Sequence, residues 1–185
     1  MRFRLALFLA VALPGVAHAT VLVQLSTRQL AEQAEIVARG KVLSQRVVSE
    51  AGRLWTESTV RVEQRLKGTA RRGQSLILRQ PGGELGRLGM RVAGVARFRV
   101  GEEVLVFAQR AGAVHIPLGM CQGKFEIRRD RSGLERVHRD LSGAGFVRFA
   151  PDGKMLLEHK TAPDPERPLS ALLGEVRTAL KGGAR

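Results

Sequence analysis

The sequence predicts a mainly β protein of α+β character: a small antiparallel barrel with a short N-terminal helix and a C-terminal helix. Three observations carry this. Runs of Val, Ile, Leu and Phe alternate with charged residues at a period of two. Turn signals such as Ala51-Gly52, Gly101-Glu102, Ser132-Gly133 and Asp152-Gly153 separate those runs at close spacing. Near the two ends, apolar residues fall instead at helical spacing.

Residues 1–19 read as an export signal. Arg2 and Arg4 form a cationic start, Leu5 to Val16 is apolar apart from Pro14 and Gly15, and Ala17 and Ala19 are the small residues of a cleavage site. About 20 apolar residues are needed to cross a bilayer, and this run is shorter. Cleavage before Thr20 would place the mature protein in the periplasm or outside the cell, with no transmembrane span.

A short helix is expected over Ser26 to Ala34, with Ser26 or Thr27 as its cap and Leu30 and Ala34 on one stripe. Glu35–Val48 and Thr56–Leu66 read as a long hairpin, with Val60, Val62 and Leu66 sharing the buried face. A third strand is expected over Gln74–Arg79. Four glycines between Pro81 and Gly89 mark a mobile loop there, and no Gly-Lys-Ser/Thr makes it a phosphate cradle.

Val104 to Phe107 is unbroken by polar residues, as a central strand requires. Two hairpins follow: Lys124–Arg128 with Leu134–His138, then Gly145–Phe149 with Lys154–Glu158. Thr161 to Pro168 reads as an extended linker. Ser170 is placed as the cap of a last helix that buries Leu172, Leu173, Val176 and Leu180 and ends at Gly182 and Gly183. Residues 20–140 are thus assigned to the barrel, and 141–185 to a hairpin, linker and helix packed on the same domain.

The formal charge is +14, and loss of Arg2 and Arg4 with the signal leaves +12. An excess of that size attracts polyanions or acidic protein surfaces. In an exported protein these are anionic envelope lipids, acidic polysaccharide or an acidic partner rather than nucleic acid. Trp55 as the only Trp, with no Tyr, also leaves few platforms for base stacking.

Cys121 is the one cysteine, so no internal disulfide forms, and it reads as a small buried hydrophobe. His115, His138 and His159 are far apart, with no second ligand at metal spacing; His138 reads as solvated, and His115 and His159 as strand or rim residues. Glu102 and Glu103 are adjacent on an extended chain, so they point to opposite faces. No nucleophile elbow is present. The expectation is a non-enzymatic protein without cofactor.

The stretch Ala34-Glu35-Ile36-Val37-Ala38-Arg39-Gly40-Lys41-Val42, with Val60-Arg61-Val62-Glu63-Gln64-Arg65-Leu66-Lys67-Gly68, resembles the opening hairpin of netrin-like domains. Gly101 to Phe107 is similar to a later strand of the same domain. The likeness spans about Thr20 to Arg128. It extends to uncharacterised exported bacterial proteins with Leu-Lys-Gly, Pro-Gly-Gly and Gln-Gly-Lys-Phe pieces, here at Leu66, Pro81 and Gln122.

The resemblance implies a five-stranded OB-like barrel. Its protease-inhibiting members, the tissue inhibitors of metalloproteinases, present a free amino end to the target's zinc. The matching position is Thr20, where the family has a disulfide-clamped cysteine.

Three functions are therefore expected in order. The first is an exported binding module contacting a protein or envelope component. The second is an inhibitor of a secreted metalloprotease acting through Thr20. The third is a polyanion binder using Arg128, Arg129, Arg131, Arg136 and Arg139.

Overall fold

The structure, a computed structural model, describes residues 21–142, 144–149, 154–159 and 164–182. The expected export signal, Thr20 and Gly183 lie outside the described residues. The first elements are β1 (Val21–Val23) and α1 (Thr27–Gln33), followed by β2 (Ile36–Glu50) and β3 (Arg53–Lys67). Next come β4 (Ser75–Pro81), β5 (Gly83–Leu85), β6 (Leu88–Met90), β7 (Glu103–Ala111) and β8 (Val114–Pro117). A 3-10 turn at Met120–Gly123 leads into β9 (Lys124–Arg129) and β10 (Glu135–His138). The chain continues through β11 (Gly145–Phe149), β12 (Met155–His159) and β13 (Arg167–Pro168) to α2 (Leu169–Gly182).

The fold is mainly β, with a helix near each end of the described chain. Its largest sheet runs β13-β10-β9-β7-β2-β3-β4-β8, and β8 also pairs with β7. The sheets are mixed rather than wholly antiparallel. β4 meets β8 in parallel at Leu78↔His115, and β1 runs parallel to β11.

β7 is the centre of this arrangement. Val104, Leu105, Val106, Phe107 and Ala108 are all buried because both of its faces are covered. Leu105 and Phe107 join Val37, Phe125, Ile127 and Val137 under the two helices. Val104, Val106 and Ala108 join Val60, Val62, Leu76 and Leu78 on the other face.

Four local differences from the sequence reading have physical causes. Glu63 and Leu66 on β3 and Leu43 on β2 are skipped in the β2–β3 register, so three irregularities break the alternation. Val60 and Val62 stay in one cluster while a half-buried Leu66 packs against the other, under the helices. The 81–89 segment is not only a loop: it contains the β5–β6 hairpin. At Gly83 a Cβ would come within 2.8 Å of Val47 and Thr56 side chains, so glycine lets this hairpin lie against the long ribbon. Finally, α2 begins at Leu169, which puts Ser170 inside its first turn.

Two of the three short motifs, Leu-Lys-Gly and Gln-Gly-Lys-Phe, supply clamps. Lys67 Nζ donates to the Ala31 and Glu32 carbonyls at 2.9 and 2.8 Å, satisfying acceptors at the end of α1. The buried Gln122 amide accepts from Leu25 N–H at 2.6 Å and donates to the Val23 carbonyl at 3.0 Å. It ties the β1–α1 connection to the body of the protein. Lys124 pairs with Glu102, donates to the Arg97 carbonyl, and lies 5.3 Å from the Phe98 ring centre. Ser26 caps α1 in a reciprocal capping box with Gln29.

Candidate functional site

A cleft of about 1240 Å³ lies on the helix-covered side. Phe125, Val137 and Val147 give it an apolar floor, and the first turn of α1 and the last turns of α2 form its walls. The segment from Asp164 to Arg167 forms a rim. Arg167 joins the elements around it, donating to Thr27 Oγ1 at 2.9 Å and to Glu175 at 2.6 Å.

Arg139 is the sequence-predicted residue that reaches this cleft. Its side chain is 12% exposed. Nε donates to Asp164 at 2.8 Å, Nη2 pairs with the same carboxylate, and the guanidinium carbon sits 5.0 Å from the Phe125 ring centre. Nη1 is buried and has no hydrogen-bond partner among the described residues. A buried donor left unpaired costs roughly 1–3 kcal/mol, and this one is enclosed by protein.

The other predicted cations cluster on the β9–β10 hairpin, where each strand faces its partner as expected. Phe125 and Ile127 are buried, and Arg128 is exposed directly opposite Arg136. Like charges in that position repel. Glu166 relieves them, lying 3.6 Å from Arg128 and 3.9 Å from Arg136.

Arg128 also makes two bonds to Glu126, at 2.7 and 2.8 Å, which hold the Glu126 carboxyl below its ordinary pKa. Arg129 pairs with Glu135 at 3.0 Å, and Asp130 lies 3.8 Å from Arg136. Glu135 is gripped more firmly by Arg39, with bonds of 2.9 and 2.7 Å, and is likewise held below its ordinary value. Among the described residues, Arg131 has no carboxylate partner. It stands exposed at the turn.

The remaining titratable groups are dispersed. Glu102 pairs with Lys124 and Glu103 with Arg39, in keeping with opposite faces. His138 is not solvated as its alternation suggests: its side chain is 17% exposed and lies 3.7 Å from Glu166. His115 is on β8, where burial lowers its pKa. His159 falls in β12. Among the described residues no three His, Cys, Asp or Glu side chains are grouped to hold a metal ion. Cys121 is buried with Leu141, Ala144 and Phe146, and burial pushes its thiol up to about 11.

Asp164, Glu166, Arg167 and Gln122 matter to this region but carry no sequence signal of charge clustering. Only Gln122 stood inside a noted motif. No family model, curated protein or solved structure matches this chain.

Proposed function

We propose that this chain is an exported, non-enzymatic binding module on an OB-like, netrin-like barrel, and that its cleft receives an extended segment of a partner protein. The fold part of this reading draws on the pairing circuit β7-β2-β3-β4-β8-β7, in which β4 and β8 are parallel neighbours. The functional part rests on one observation: a cleft of about 1240 Å³ with an apolar floor of Phe125, Val137 and Val147. Phe125 and Val137 would bury the apolar side chains of a bound segment.

The test is a pull-down from the protein's own envelope fraction with two variants. Thr178→Trp fills the cleft from an exposed helix position and should lose the partner. Arg131→Ser should keep it. Recovery of the same partner by Thr178→Trp would remove the cleft from the account.

A second reading, metalloprotease inhibition through the Thr20 amine, is favoured by β1. Where the netrin-like inhibitors use disulfides, here β11 pairs with Val21–Val23 and Gln122 holds Val23 and Leu25. Inhibition of a zinc protease that disappears on acetylation of the mature N-terminus would support it. The third reading, polyanion binding by the hairpin, is left with Arg131 as its cation free of carboxylates.

A further inference from the structure

The connection from β4 to β7 carries charge of a different kind. After the β5–β6 hairpin the chain runs as a strap over residues 91–99 that turns at Ala93-Gly94. Ala96 and Phe98 are buried in the core, and Arg97 and Arg99 alternate outward. The bond from Lys124 to the Arg97 carbonyl and its contact with Phe98 hold the strap in place.

Arg91, Arg97 and Arg99 line both of the hollows flanking the strap, about 800 and 520 Å³ in volume. Arg87 is exposed at the hairpin tip. No hydrogen bond or ion pair engages the guanidinium of any of these four among the described residues, although Glu102 accepts from Arg99 N–H. Nearby carboxylates are mostly committed elsewhere: Glu126 to Arg128, Glu102 to Lys124, and Asp140 to the Ser142 hydroxyl and N–H. Asp140 lies close enough to Arg97 to feel its charge, and Glu84 is exposed on β5.

Two apolar residues stand at the same hairpin tip. Leu85 and Leu88 are cross-strand partners, 43% and 66% exposed, on either side of the turn that holds Arg87. Exposed leucines beside unpaired arginines match the two components of peripheral membrane binding, apolar insertion and attraction to anionic headgroups.

We infer that the β5–β6 tip and the 91–99 strap form a docking surface for an anionic phospholipid bilayer. Leu85 and Leu88 enter the interfacial layer, and Arg87, Arg91, Arg97 and Arg99 face lipid phosphates. The leucine pair decides for a bilayer over a free phosphate, which has no use for apolar side chains. Charge complementarity decides for an anionic surface over a zwitterionic one. This surface is separate from the cleft and stands whether or not the cleft takes a peptide.

The experiment is co-sedimentation of the mature protein with vesicles of phosphatidylcholine alone or mixed with phosphatidylglycerol. Binding is expected to the mixed vesicles and to fall as salt rises. Each Arg→Gln change at 87, 91, 97 and 99 should weaken it about fivefold. Leu85→Ser with Leu88→Ser should weaken it roughly tenfold.

Arg87→Gln alone, at an exposed tip, keeps the test valid if a multiple variant melts early. Equal binding to both vesicle types, full binding by the fourfold arginine variant, or displacement by millimolar inorganic phosphate would each overturn the inference. Retention only on an acidic protein would do the same.

Discussion

The β9–β10 hairpin and the 91–99 strap are both rich in arginine, and they differ in what faces those arginines. On the hairpin, Arg128, Arg129 and Arg136 lie within 4 Å of Glu126, Glu135, Asp130 or Glu166. Arg139, just beyond it, is locked to Asp164. On the strap, Arg91, Arg97 and Arg99 face hollows instead. A count of basic residues therefore locates charge without saying whether it is available. Cations already answered by carboxylates hold the fold together, and unanswered ones are left for a ligand.

The largest stability effect should come from Arg39, which joins the hairpin to the body by bonding both Glu135 and Glu103. Arg39→Ala leaves half-buried Glu103 without its partner and Glu135 with the exposed Arg129 alone. It should cost about 2 kcal/mol in urea denaturation, below the 3–5 kcal/mol of a fully buried pair because solvent reaches this one. A loss under about 0.5 kcal/mol would show that the hairpin pairs are decorative.

Asp164→Asn comes next, with an expected cost of about 1–2 kcal/mol, since it weakens the grip on a mostly buried Arg139. The same substitution should change partner recovery through the cleft. Unaltered stability and recovery together would detach Arg139 from both roles.

Acid separates the two regions more finely. Glu126 and Glu135 are held below their ordinary value of 4.5 by Arg128 and Arg39 respectively. Their contribution is present above the unfolded pKa and is lost as pH falls through the lower folded one. Thermal melts should therefore show an acid loss below about pH 4.5 that is shallower in a Glu126→Gln, Glu135→Gln variant. A strap variant carrying Arg91→Gln, Arg97→Gln and Arg99→Gln should track the parent. An unchanged acid limb in the hairpin variant would break the comparison.

The smallest effect belongs to the strap itself. Arg97→Gln should move stability by less than about 0.5 kcal/mol, because no hydrogen bond or ion pair engages its guanidinium among the described residues. A larger loss in urea denaturation would reveal a structural role.

Much of the fold was legible where the signal is local. Ser26, Ala51-Gly52, the alternation in β9 and the stripe of α2 each announce their element within a few residues. What escaped depends on distant partners. β1 and β8 are short and owe their state to β11, β7 and β4, and the β5–β6 hairpin is pinned by Val47 and Thr56 on another ribbon.

The bulges at Glu63 and Leu66 sent Leu66 to the other cluster, which strict alternation cannot foresee. The site followed the same rule. Arg128, Arg136 and Arg139 could be picked out by charge. The carboxylates that occupy them, Glu166 and Asp164, lie 25 to 38 positions further along the chain. The strap arginines looked unremarkable beside a glycine-rich loop, since only the tertiary arrangement shows them unpaired.

The most direct test sets the two arginine groups against each other in a crossed measurement. One variant carries Arg128→Gln, Arg136→Gln and Arg139→Gln, and the other Arg91→Gln, Arg97→Gln and Arg99→Gln. Each is measured for urea stability and for binding to phosphatidylglycerol-containing vesicles. The hairpin variant should lose stability and keep most of its binding, and the strap variant should keep stability and lose binding by about a hundredfold. A hairpin variant that melts like the parent but no longer binds would contradict the division of labour between paired and unpaired arginines.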